Sequence, residues 1–129
     1  MKNLLSRVKQ VGVIGIMLQD MWGNQEIQCF GKEPSLIRLV TRKFQHTLTP
    51  QVPFQTGWVS GGAMVVEKEL FARLGGFDEG FFLYWEDIDL CKRVREANYA
   101  VWLHPQARAS HIRGASQEDI RAKTQMYGT

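Results

Sequence analysis

Cysteine is scarce in this sequence. Cys29 and Cys91 are the only two, and Cys91 falls on the apolar stripe of an expected helix, which marks a buried free thiol rather than a disulfide and fits a reducing, cytosolic setting. Long hydrophobic runs are also missing. The longest, such as Val11 to Leu18, fall well short of the ~20 residues that cross a bilayer, and Met1 to Gln10 lacks a signal-peptide core, so no targeting segment is expected. Charge is not concentrated either: the net charge is +3 and the sixteen Lys and Arg are spread along the chain, so basicity alone says little about partners. With no helix-turn-helix, zinc-finger or RNA-binding aromatic signature, nucleic acid is not an expected partner. There is no internal repeat, low-complexity tract or domain boundary.

What is present is a soluble globular composition, 44% hydrophobic and 22% charged, in a length that suits one domain over residues 1–129. Met1 to Gln10 reads as a short basic helix with Leu4, Leu5 and Val8 inward. Val11 to Met17, VGVIGIM, is a nearly continuous apolar run typical of a strand covered on both faces. A turn is expected at Gly23-Asn24 and a short strand over Ile27 to Phe30, ending at Gly31. Pro34 and Ser35 introduce a helix through about Phe44. Thr47 to Thr56 reads as a loop and Gly57 to Val66 as a strand, in which Gly61-Gly62 permits close approach of a ligand or backbone or else marks a bulge. Tyr99 to Leu103 is expected to be a strand ended by Pro105, Ala107 to Ile112 a second strand, and Gln117 to Tyr127 a polar helix.

The chain is organised around Gly75 to Arg95, GGFDEGFFLYWEDIDLCKRVR. Gly75-Gly76 follows a periodic segment in which Leu70, Phe71 and Leu74 share a face, and reads as a helix stop using left-handed backbone angles. Phe81, Phe82, Tyr84 and Trp85 put four aromatics into five positions, dense enough to cover a core or stack on a ligand. From Glu86 to Asn98, the residues Asp87, Leu90, Cys91, Val94 and Asn98 follow helical spacing, with Asp89, Lys92, Arg93 and Glu96 on the opposite, charged face. Asp89 precedes Arg93 by four residues, an ordinary solvated pair, and Glu86 favours the helix N-terminus. Asp87 lies on the inward stripe, where a carboxylate needs a polar partner or a cleft. The local pattern leaves both an N-terminal cap and a catalytic role open. Ala107 and Ala109 share a face with His111, by itself an ordinary structural strand histidine, while His104 beside Pro105 reads as a turn residue and His46 has no supporting partners.

Trp58 to Ser116 resembles the acceptor half of the family 2 glycosyltransferases of GT-A fold, especially the bacterial rhamnosyltransferase-like enzymes, through Gly-Gly-Phe-Asp-Glu, Phe-Phe-Leu-Tyr and Glu-Asp-x-Asp-Leu-Cys in family order. Similarity is weaker over Val11 to Phe30. The resemblance implies an α/β fold, a partial GT-A domain with a small mixed sheet flanked by helices. It implies an inverting single displacement in cell-envelope polysaccharide synthesis, at the inner face of the membrane or in the cytoplasm, between a nucleotide-sugar donor and a saccharide or lipid-linked acceptor. Asp87 would be the general base and His111 a ligand of Mg²⁺ or Mn²⁺, with Trp58, Gly61, Gly62, Tyr84, Trp85 and Glu86 lining the substrate site. Asp87-Ile88-Asp89 is not the family's metal motif, since side chains two apart on a helix diverge by about 200°. That motif lies upstream in the family, in a mononucleotide-binding half expected to be absent here, so the chain alone is expected to be inactive. Peripheral membrane association and self-association through surface left uncovered are compatible with this reading. The alternative function is a non-catalytic saccharide-binding or scaffolding module that uses Trp58, Tyr84 and Trp85 as stacking surfaces.

Overall fold

The computed structural model describes residues 9–26, 28–35, 51–81 and 85–112. The helices expected from Met1, Pro34 and Gln117 fall wholly or mainly outside these residues. The elements are β1 (Val11–Gln19), β2 (Phe30–Gly31), β3 (Phe54–Thr56), β4 (Trp58–Val59), β5 (Met64–Val66), α1 (Lys68–Arg73), α2 (Glu86–Glu96) and β6 (Ala100–Ser110). A four-stranded sheet has the order β3-β6-β1-β5, and β2 with β4 forms a second, two-stranded sheet. In the larger sheet β1 and β6 run parallel while β5 and β3 join antiparallel, so the mixed α/β architecture expected from the sequence is present.

Periodicity explains where the core sits. Leu90, Cys91 and Val94 of α2 are fully buried together with Leu70 of α1, Val13 and Met17 of β1, Val59 of β4, and Val101 and Leu103 of β6. Each such Leu or Val contributes about 1.5–3 kcal/mol relative to exposure. Both helices end as Schellman motifs. Gly75 N–H donates to Ala72 O at 3.1 Å and Gly76 N–H to Phe71 O at 2.9 Å, with φ of 80° and 72°, as the paired glycines predict. After α2, Asn98 takes the same left-handed role at φ 67°, and the N–H of Tyr99 donates to Val94 O at 3.1 Å. Asn98 is therefore an exposed helix stop rather than part of the buried stripe.

Several further expectations are corrected. β1 is not covered on both faces: Ile14 is 38% exposed and its register partner Val65 is 66% exposed, because the helices and β4 pack on the opposite side, where Val13 and Met17 are buried. Gly57 to Val66 is not one strand but β4, a turn at Gly61-Gly62, and β5. β3, at the end of the expected loop, pairs with β6. Pro105 does not end its strand. β6 runs through it, and the register with β1 jumps from Ile16↔His104 to Met17↔Arg108, so Pro105 sits in an irregularity where its missing N–H costs no ladder bond. There His104 Nδ1 accepts from Ala107 N–H at 3.2 Å.

Asp89 and Arg93 are not a solvated pair either. Arg93 Nε donates to Asp89 Oδ2 at 2.8 Å with the side chains only 24% and 23% exposed. Its other two nitrogens donate to Leu74 O and Gly76 O, each at 2.9 Å. The guanidinium thus closes the C-terminal end of α1, where carbonyls lack helical partners and a cation is favoured, and fixes α1 against α2.

Both cysteines are buried free thiols, as expected for Cys91. Burial pushes the Cys91 thiol up to about 11 from an ordinary 9.0, against a smaller opposing effect of the Val59 carbonyl contact. The unfolded thiol loses its proton from about pH 9 while the folded one holds it, so this stabilisation is complete below pH 9 and is lost as pH rises toward 11. The loss should be on the order of 2 kcal/mol. Chemical denaturation between those pH values should show a steeper fall for wild type than for Cys91→Ala; equal slopes would refute the assignment.

Candidate active site

The turn at Gly61-Gly62 lies between the two residues singled out for chemistry. On one side, Asp87 in the first turn of α2 accepts from Gly61 N–H through Oδ2 at 2.9 Å and from Ile88 N–H through Oδ1 at 2.8 Å. Asp87 is therefore a partly buried carboxylate that caps its own helix and binds the turn at once. Each oxygen keeps acceptor capacity for a further proton donor. On the other side, a Cβ placed on Gly62 would lie 3.5 Å from both Cδ2 and Nε2 of His111, and one on Gly61 would lie 3.5 Å from Asp87 Cβ. Side chains at these glycines would occupy the space between the carboxylate and the imidazole. The turn replaces the expected strand.

Two carbonyls at the end of β1 hold the imidazole side. His111 N–H donates to Gln19 O at 2.8 Å, and Glu26 N–H donates to Leu18 O, also at 2.8 Å. The side chains then meet: His111 Nδ1 lies 3.4 Å from Glu26 Oε2, with Glu26 only 12% exposed. This is an ion-pair separation without hydrogen-bond alignment. Sequence reading missed Glu26, which is far from His111 along the chain and becomes its neighbour only through β1. The preceding turn is rigid, because Asp20 accepts from the side-chain amide of Asn24 and from the backbone N–H groups of Asn24 and Trp22. The Asn24 amide leads these bonds in holding the Asp20 carboxyl below its ordinary range.

The remaining sequence candidates among the described residues lie in β4 and at the start of α2. Trp85 precedes α2 with a left-handed φ of 70° and is 50% exposed. A bulky residue in that conformation is strained, as residues at functional sites often are. Glu86, partly buried beside Asp87, has an Oε2 with no hydrogen-bond partner among the described residues. Trp58 is half-buried and lies across Gly31, whose added Cβ would meet its Nε1 at 2.6 Å, so part of its surface is committed to packing. Tyr84 lies outside the described residues.

The family described as the N-terminal domain of galactosyltransferase matches residues 42–115, more than half of the chain and both sides of the turn. The chain belongs to the family 2 glycosyltransferases. It is similar to the N-acetylglucosaminyl-diphospho-decaprenol L-rhamnosyltransferase of Mycobacterium tuberculosis, 30% identical over 125 residues that cover 86% of this chain and 40% of the relative. It is also similar to the rhamnosyltransferase WbbL of Escherichia coli, 43% identical over 54 residues, 42% of this chain and 20% of the relative. A low-salt glycan biosynthesis hexosyltransferase of Haloferax volcanii is 28% identical over 67 residues, 52% of this chain and 22% of that protein. The chain thus spans well under half the length of these relatives. Its mixed sheet with few helices is consistent with part of a GT-A-like nucleotide-sugar transferase domain.

Family 2 glycosyltransferases generally depend on a divalent metal. Among the described residues no group of three or more His, Cys, Asp and Glu could hold an ion. His111 fits as a single ligand through Nε2, whose edge faces Gly62. One protein ligand is compatible with a hard divalent ion, which commonly completes its shell with water and substrate phosphates. No helix of the described residues is long and apolar enough to cross a membrane.

Proposed function

We propose that this chain is the acceptor-side part of a glycosyltransferase that moves a sugar from a nucleotide sugar to an acceptor hydroxyl. The observation that carries the reading is the placement of Asp87 and His111 on the two sides of the Gly61-Gly62 turn. In the inverting displacement, Asp87 takes the acceptor proton as the acceptor oxygen bonds to the anomeric carbon. The bond from that carbon to the diphosphate breaks, and the nucleoside diphosphate leaves with the electron pair. His111 would hold a divalent ion, Mg²⁺ or Mn²⁺, which supplies positive charge against the diphosphate. A nucleotide-binding half would lie outside these 129 residues, whose matches cover 40% of one relative and 20% of another.

The names of the relatives favour rhamnose or another hexose as the transferred sugar and, for one of them, a lipid-linked acceptor. Cytoplasmic work at the membrane surface belongs to the same proposal, as does self-association through the open sheet face around Ile14 and Val65.

The test uses the enzyme complete with its nucleotide-binding half. His111→Ala should weaken metal-dependent donor binding by about 10- to 100-fold and leave metal-independent donor binding in place. Calorimetric titration of the donor with and without Mn²⁺ reads both. A metal dependence equal to that of wild type would return His111 to a structural role.

A further inference from the structure

We propose that Glu26 is the positioning residue of the site: it holds the imidazole of His111 with Nδ1–H toward its carboxylate and leaves the Nε2 lone pair free at the Gly61-Gly62 turn. The proposal rests on the reading of His111 given above and deepens it by naming what fixes the ring. Three observations carry it. First, His111 Nδ1 is buried and lies 3.4 Å from Glu26 Oε2, with no hydrogen-bond partner in better alignment among the described residues. Second, the Nε2 edge points the other way, and a Cβ on Gly62 would stand 3.5 Å from it. Third, both backbones are tied to β1, His111 through Gln19 O and Glu26 through Leu18 O, while Cys29 N–H donates to Glu26 O at 3.2 Å. The carboxylate is therefore delivered to the imidazole by fixed backbone.

The chemistry follows from the imidazole itself. A neutral histidine has one donor and one acceptor nitrogen, and the partner of the first decides which is which. Free in water, histidine favours the proton on Nε2, the nitrogen that would have to be bare to bind a metal at this turn. A carboxylate at Nδ1 reverses that preference. It also locks the ring, which is how outer carboxylates act on metal-binding histidines elsewhere.

The measurement is long-range ¹H–¹⁵N correlation of the neutral imidazoles in this chain, with the three histidines told apart by His46→Gln and His104→Gln. Wild type should show His111 protonated on Nδ1. Glu26→Leu should move the proton to Nε2 while the backbone amide spectrum keeps its dispersion, and Glu26→Gln, which retains an acceptor oxygen, should keep it on Nδ1. A wild-type His111 protonated on Nε2 overturns the proposal, and this arm decides even if the leucine variant does not fold. A leucine variant that folds and keeps the wild-type tautomer overturns it as well.

A Mn²⁺ titration read by broadening of the His111 ring signals tests the consequence. Binding should be about tenfold weaker in Glu26→Leu, and equal affinity in the two proteins would overturn the positioning role. If wild type shows the Nδ1–H tautomer and no broadening, the metal-ligand reading of His111 fails while the Glu26 pairing stands, so the two ideas are separable.

Discussion

Asp87→Asn should lower single-turnover sugar transfer by ~10²-fold or more in the complete enzyme, per folded molecule, because an amide cannot take the acceptor proton. From sequence alone the substitution reads as a neutral change of shape. The structure adds a cost. Both carboxylate oxygens accept backbone N–H groups, Oδ2 from Gly61 and Oδ1 from Ile88, and asparagine has only one oxygen to offer. Whichever way the amide turns, its NH₂ faces an N–H donor, so the variant should also lose about 1–3 kcal/mol of stability. The turn that separates Asp87 from His111 should loosen with it.

The two effects are distinguishable. Thermal unfolding reports the lost bond, whereas transfer measured well below the transition, on folded protein, reports the lost base. Donor affinity should change little, since the donor contacts proposed here run through His111. Asp87→Glu keeps the base but displaces it, so it should recover part of the rate. Turnover in folded Asp87→Asn within a few-fold of wild type would remove Asp87 as the base and leave it as a helix cap that braces the Gly61-Gly62 turn.

The two backbone bonds of Asp87 show what the sequence could and could not reveal. The stripe of Leu90, Cys91 and Val94 and the stop at Gly75-Gly76 are legible because they depend on spacing within one helix or turn, and both are found as expected. Asp87 on the inward side of α2 is legible for the same reason. Its partner is not: nothing near Asp87 in the chain marks Gly61 as the donor, since the contact depends on how β4 packs against α2. Glu26 was missed on similar grounds, because its approach to His111 exists only through the pairing of each with the end of β1. The passage of β6 through Pro105 was hidden too, since the local rule that proline stops a strand yields where the ladder already skips. Arg93 looked like half of a surface pair because the carbonyls it binds, Leu74 and Gly76, lie just beyond the end of another helix. Periodic signals are local, and the site is assembled by contacts that are not.

The largest loss of stability should come from Gly57→Ala, at a glycine that local pattern treats only as the start of a strand. An ideal Cβ there would overlap the backbone nitrogen of Glu33 and lie 2.7 Å from the carbonyl carbon of Lys32. No rotamer can relieve contact with main chain, so the segment after β2 would have to move. It is held in place. Gly57 N–H donates to Gly31 O at 2.9 Å, and Thr56 Oγ1 donates to the same carbonyl at 2.8 Å. Arg95 of α2 donates from Nε to Gly57 O at 2.9 Å and reaches Glu33 Oε2 at 2.8 Å. Moving the backbone therefore strains bonds that join both sheets to α2, and the cost should be about 3 kcal/mol, the upper end for overpacking. In a chain of this size that lowers the melting temperature by roughly 10 °C. Gly61→Ala offers the contrast: its nearest contact, Asp87 Cβ at 3.5 Å, is ordinary van der Waals distance, so its stability should stay within about 1 kcal/mol of wild type. Calorimetry of the two variants side by side decides the matter, and a Gly57→Ala melting temperature equal to that of Gly61→Ala would show that the crossing between β3 and β4 has slack the structure does not suggest.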